Sequence, residues 1–188
     1  RVELREVTCV AVDVGPGLFT GLRVGIATGK AIAQALRVPM IGLPSLDLMA
    51  FPLRHTHRLI VPVIDARRGE VYCATYRRVP GGVQRLSEPR VCSADELVAE
   101  LDVRREDVLL VGDGVVRYRE TFESLRHAIH ATDHPYPSAA ALVHLAQPLA
   151  LREEFVQPTE LSPMYLRKPD AEAKWETPAG AWGSGGPR

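Results

Sequence analysis

Three stretches of this chain carry residue types that could do chemistry. Gly15-Pro16-Gly17 lies between an apolar run, Val7 to Val14, and a helical pattern that continues to Leu36. Backbone N–H groups at a helix N-terminus can hold an anion. No Gly-Lys-Ser/Thr follows at Walker spacing, however, and a strand-to-helix turn needs glycine for its backbone alone, so the turn is the favoured reading of this motif. Asp65, Arg67, Arg68 and Glu70 surround an expected turn between strands, where charges are usually solvated. Gly112-Asp113-Gly114 closes another apolar run. Open α/β sheets often bind ligands at such strand ends, but the motif is short and weakly specific, and a plain turn is the favoured reading.

The remaining reactive types are scattered. The six histidines (55, 57, 127, 130, 134 and 144) form no His-Glu-x-x-His pattern. His130 and His134 would share a face only on a helix, and Asp133 and Pro135 argue for a loop. Cys9, Cys73 and Cys92 are odd in number and widely spaced, which indicates neither a disulfide framework nor a zinc site and predicts a reducing cytoplasm. There is no Gly-x-Ser-x-Gly elbow. No catalytic residue, metal or cofactor is assigned. With 23 Lys+Arg against 23 Asp+Glu, the net charge of zero gives no bulk attraction to nucleic acid or membrane. If the chain works on RNA, a partner is expected to supply much of the basic surface. No run reaches transmembrane length, no signal peptide is evident, and no membrane association is expected. The chain opens at Arg1 without an initiator Met, so a further N-terminal piece is expected.

The elements that must position these groups follow from pattern. Strands are expected at Val7–Val14, Met40–Leu43, Leu59–Ile64, Val71–Arg78, Val83–Val91 and Val108–Val111, with Gly81-Gly82 as a hairpin turn. Helices are expected at Leu22–Leu36 (stopped by Pro39), Ser45–Leu53 (Ser45 as N-cap, Asp47 in the first turn), Ser93–Leu101 (a capping box with Glu96), Val115–Leu125 and from Ser138 to Leu145, perturbed by Pro148. A last extended segment is expected over Leu161–Leu166, then a polar, glycine-rich tail over 167–188 read as flexible. The mixture argues α/β, with a first lobe at 1–57 and a second at 58–166 that includes returning C-terminal elements.

Within the first long helix, Gly21, Gly25, Gly29 and Ala33 fall every fourth residue and share a face. Each interior glycine costs about 1 kcal/mol relative to alanine. A smooth groove for a close-packed backbone would justify them. The backbone could belong to this chain's own sheet or to a helix of another chain, and the pattern leaves both open.

The stretch Gly15 to Ala31 resembles the TsaB (YeaZ) family. So do Val38-Pro39 with Ser45-Leu46, Pro62 to Tyr72, and Pro163-Met164-Tyr165-Leu166-Arg167. The matches span nearly the whole chain in order. The resemblance implies the actin-like ATPase fold, shared with sugar kinases and heat-shock chaperones, with two lobes of which the second is reduced. Family members begin with a phosphate-segment strand and further strands before the Gly-Pro-Gly loop. None is present here, so the first lobe is expected to be incomplete and nucleotide binding is not expected.

The resemblance also implies a role: a non-catalytic subunit of the machinery that makes threonylcarbamoyladenosine in tRNA. It would pair with the paralogue TsaD, work with the ATPase TsaE, and meet tRNA only indirectly. TsaD-like chains carry two histidine metal ligands after a Val-Pro. Aligning Val38-Pro39 there places Ser45 and Met49 at those positions, a poor ligand pair. The implied interface is the Leu22–Leu36 helix, with Gly21, Gly25, Gly29 and Ala33 permitting close approach and Ile26, Thr28 and Ile32 flanking. Rival expectations are a homodimer through the same helix and an enzyme, either a glycoprotease-like hydrolase or an ATP-using kinase relative.

Overall fold

The computed structural model describes residues 3–131 and 135–167. Strands β1 (Val10–Gly15) and β2 (Met40–Pro44) pair in parallel, Val10 opposite Met40, and α1 (Phe19–Leu36) makes the crossover between them. Helix α1 starts ahead of the expected Leu22, with Leu18 as N-cap. It ends at Arg37 in the left-handed conformation (φ 57°), and Pro39 prevents its continuation. Ile26 and Ala33 seal this sheet together with Val12, Val14, Met40 and Leu161.

Helix α2 (Ser45–Ala50) and a 3-10 turn, Phe51–Leu53, follow directly. The expected N-cap is corrected: Pro44 occupies that place, and the Ser45 hydroxyl turns away to donate to Asp13 Oδ1 at 2.6 Å.

A seven-stranded mixed sheet is built on β3 (Leu59–Arg67), which is buried over all but its last residue. Such a strand reads as a continuous apolar run because both of its faces are covered. β8 (Val108–Val111) pairs with it in parallel, and β9 (Ala128–Ala131) pairs with β8. The sequence pattern gave no sign of β9.

The other edge of β3 is shared. β4 (Glu70–Cys73) takes its C-terminal half and β5 (Tyr76–Val79) meets only Ile60. The single strand expected over 71–78 is therefore two. Between them, Thr75 is held by Ser87 Oγ, at 2.9 Å from its N–H and 3.1 Å from its hydroxyl. The return strand likewise divides into β6 (Gly82–Arg85), paired with β5, and β7 (Arg90–Ser93), paired with β4.

Helix α3 (Ala94–Arg104) is capped by Ser93 Oγ, which accepts the Glu96 N–H at 3.1 Å. The helix expected over 115–125 is two short ones, α4 (Asp113–Arg117) and α5 (Arg119–Phe122). Helix α6 (Ala139–Leu151), capped by Ser138 and containing Pro148, returns to the first sheet, where Ala141 and Ala146 pack with Ile41, Leu43, Leu48 and Phe51.

No strand forms over 161–166. Leu161 is buried, and the Met164 N–H donates to Val14 O at 2.7 Å, so this segment straps the end of β1. Among the described residues no helix is long and apolar enough to cross a membrane. The expected tail lies, beyond Arg167, outside the described residues.

Candidate functional site

The Gly15–Gly17 loop turns inward. Gly15 has φ +101°, and a Cβ there would lie 2.9 Å from Leu22 Cδ1 and 3.2 Å from Met164 O. Its N–H donates to Asp13 Oδ1 at 2.8 Å. Burial raises the Asp13 carboxyl above its ordinary value, while the hydrogen bonds from Ser45 and Gly15 pull the other way. An anion in this loop would meet that carboxylate, so the geometry fits a turn. Ser45 and Met49 are both buried in α2.

The glycine stripe divides into two parts with different surroundings. A Cβ on Gly29 would sit 2.5 Å from Val12 Cγ1, while one on Gly21 or Gly25 would meet nothing within 4 Å. Ile26, Gly29 and Ala33 are thus taken up by the chain's own β1–β2 sheet and are not available to a partner. Gly21, Gly25, Thr28 and Ile32 are exposed. With Val24, Ala31 and Ala35, also exposed, they follow three- and four-residue spacing and form one face.

That face carries no charge, since Arg23 and Lys30 lie off it. The Thr28 hydroxyl donates to Val24 O at 2.8 Å, within its own helix, which leaves the face apolar. Val24 is 62% exposed and Ile32 46%. Burying such groups against another helix is favourable at about 25 cal/mol per Å².

A second site lies at the carboxyl ends of the parallel strands β3 and β8. The sequence suggested solvated charges here, and that is corrected for Asp65, which is only 6% exposed. β3 extends past its apolar run because pairing continues, through a register shift, to Arg67 opposite Glu70. Asp65 Oδ1 accepts the Tyr118 hydroxyl at 3.0 Å and the Arg67 N–H at 2.8 Å. Its Oδ2 meets the Arg67 and Arg117 guanidinium groups, each at 3.2 Å. Asp113 Oδ1 accepts the Asp65 N–H at 3.0 Å, and burial followed by the nearby Asp65 charge raises the Asp113 carboxyl.

Gly112 and Gly114 are packing requirements of this corner. Their Cβ atoms would fall 2.1 and 3.0 Å from Val63 O. Asp65, Arg67, Asp113, Val116, Arg117, Pro135 and Tyr136 line an open crevice of 490 Å³.

Two arrangements escaped the sequence reading. Asp47 receives the Tyr76 hydroxyl at 2.6 Å and the Arg85 guanidinium at 2.8 Å, and burial pushes the Tyr76 phenol up. Phe19, Arg23 and Tyr165 stack at the start of α1. Each joins residues far apart in sequence, so periodicity carried no signal of either.

Over residues 1–175 the chain matches the family model described as TsaD, tRNA N6-adenosine threonylcarbamoyltransferase. It is 31% identical over 179 residues to the tRNA threonylcarbamoyladenosine biosynthesis protein TsaB of Bacillus subtilis, covering 91% of this chain and 74% of that one. A Pseudomonas aeruginosa structure, of a protein described as having similarity to peptidase YeaZ, superimposes with a TM-score of 0.74 at 27% identity, over 88% of this chain and 76% of that one. YeaZ from the same organism gives 0.71 at 25%, over 87% and 76%.

The chain is thus an α/β protein of the actin-like ATPase fold, in the class defined by the TsaD-type model. Within that class it belongs to the TsaB family.

Proposed function

We propose that this chain is the scaffold subunit of a tRNA threonylcarbamoyladenosine-forming complex, pairing with a TsaD partner through α1. The relatives' role in tRNA threonylcarbamoyladenosine biosynthesis supports the pathway. The observation that carries the pairing is the uncharged outer face of α1, where a Cβ on Gly21 or Gly25 would meet nothing within 4 Å while Val24, Thr28 and Ile32 stand exposed. Two glycines on that face let a second helix approach closely. The chain's part is non-catalytic: the groups gathered at the two strand ends are tied up in internal hydrogen bonds and ion pairs. TsaE joins the pair, the assembly works in the cytoplasm, and the two lobes divide near residue 57.

The test mixes the chain with its cognate TsaD and follows size-exclusion chromatography with light scattering. A one-to-one complex is expected, and Gly25→Leu should abolish it while the chain stays folded. A homodimer that takes up no TsaD would make α1 a self-association surface. Pairing that survives Gly25→Leu would remove α1 from the interface.

A further inference from the structure

Both tryptophans of the chain, Trp175 and Trp182, lie beyond Arg167. From Asp170 to Thr177 the sequence alternates strictly. Asp170, Glu172, Lys174 and Glu176 are charged, while Ala171, Ala173, Trp175 and Thr177 are not. In extended form such a segment has one charged edge and one uncharged edge. The point from which it departs is fixed. The Tyr165 ring centroid lies 5.6 Å from that of Phe19, in the first turn of α1, and its hydroxyl accepts Arg23 Nε at 2.9 Å. Two residues on, the Arg167 guanidinium donates to Glu70 at 2.7 Å. The following residues therefore leave the fold beside the start of α1, whose outer face is uncharged and open.

We propose that residues 171–177 of this same chain dock along the outer face of α1, Ala171 over Gly21, Ala173 over Gly25 and Trp175 beside Thr28 and Ile32. The spacing fits: two extended residues advance about 6.6 Å, close to the 6 Å or so of four helical residues. The reach suffices, because eight residues from Arg167 to Trp175 extend to about 26 Å, whereas Phe19 to Ile32 is about 20 Å along the helix. A Cβ on Gly21 or Gly25 would meet nothing within 4 Å, so small alanines can cross there closely, and the indole then covers Ile32, which is 46% exposed. An indole buries a large apolar area for one side chain. Charge agrees as well: α1 carries Arg23 and Lys30 and no acidic residue, while Asp170, Glu172 and Glu176 outnumber Lys174 on the charged edge. A tethered segment meets the face at an effective concentration of about millimolar, which a second copy in dilute solution does not match. The docking stands on these observations alone. Its consequence, that the segment competes with TsaD for α1, rests on the pairing reading above.

Because the chain has no other tryptophan, its indole emission reports on this segment alone. Fluorescence of the full chain is compared with that of a synthetic peptide of residues 168–188, with acrylamide as quencher. The full chain should emit at shorter wavelength than the peptide and be quenched less. Trp182→Phe should keep that shift, and Trp175→Phe should lose it. Ile32→Glu should return the spectrum to that of the peptide, with circular dichroism unchanged. Gly25→Leu, which blocks the approach of Ala173, gives a second view should Ile32→Glu unfold. In size-exclusion and titration experiments with TsaD, Trp175→Ala should pair about tenfold more tightly than the parent, the factor for a face open in one molecule in ten.

A spectrum and quenching identical to those of the peptide overturn this inference. A shift that survives in a folded Ile32→Glu also overturns it, by placing the segment elsewhere. A shift that grows with protein concentration overturns it in favour of a second copy on α1. If Ile32→Glu abolishes the shift while Trp175→Ala leaves TsaD pairing unchanged, the docking stands and TsaD comes off α1. If neither the parent nor Trp175→Ala pairs with TsaD, the complex reading falls and the docking is judged by fluorescence alone.

Discussion

The divided glycine stripe allows a prediction of opposite sign at two positions one helical turn apart. Gly25→Ala and Gly29→Ala make the same chemical change on α1, and each gains about 1 kcal/mol of helix propensity. At Gly25 the new methyl meets nothing within 4 Å, so the isolated chain should keep that gain. At Gly29 the methyl would lie 2.5 Å from Val12 Cγ1 and 3.3 Å from Met40 Cε. The methionine tip can yield. Val12 cannot easily do so, being β-branched, buried and fixed in β1. Overpacking of this kind costs about 2 kcal/mol, which leaves Gly29→Ala destabilised by about 1 kcal/mol.

The two variants should therefore differ by about 2 kcal/mol. For a chain of this size that is about 4–8 °C in Tm, with Gly25→Ala above the parent and Gly29→Ala below it. Thermal melts of the isolated chain, followed by circular dichroism, measure the difference. If Gly29→Ala stabilises as much as Gly25→Ala, α1 does not lie against β1 as described, and the division between core and partner residues fails.

Two further outcomes test the strand-end carboxylates. Asp13 has its carboxyl raised by burial, so the folded chain holds that proton more tightly than the unfolded chain does. Stability from this group then falls as pH rises from its ordinary value of 3.8 through the raised folded value. Asp13→Asn keeps an oxygen acceptor for Ser45 and Gly15 but removes the charge. It should equal or exceed the parent in Tm at neutral pH and lose any advantage below a pH of about 4; a lower Tm at neutral pH would refute this. Asp65→Ala strands the Tyr118 hydroxyl and the Arg67 N–H and should cost about 1–3 kcal/mol, against about 1 kcal/mol for Tyr118→Phe. Equal urea midpoints for the two variants would mean that Asp65 does not organise the crevice.

Local pattern was sufficient where burial and chain punctuation coincide. Val108–Val111 forms the strand its apolar run predicts, because Gly112 must turn under Val63 immediately afterwards. Helix α1 ends where Pro39 and a left-handed Arg37 force it to. The motifs that place the chain in the TsaB family are also local, and its α/β class followed from the alternation of runs.

Pairing was not legible in the same way. Val71–Arg78 alternates like one strand, yet β3 offers its edge to two partners in succession and splits it. Asp65 read as a solvated turn residue, and only the continued pairing of β3 with β4, with Arg117 and Tyr118 brought in from α4 and its end, buries it. The four small residues of α1 are equivalent in the sequence. Contact with Val12 assigns Gly29 to the core and leaves Gly25 in solvent, because a helix presents its stripe at a slant to the sheet and only part of it touches. The sequence determines which segments are strands or helices and which family they spell. The tertiary structure decides which of their faces remain for a partner, since that depends on contacts between residues that no local period connects.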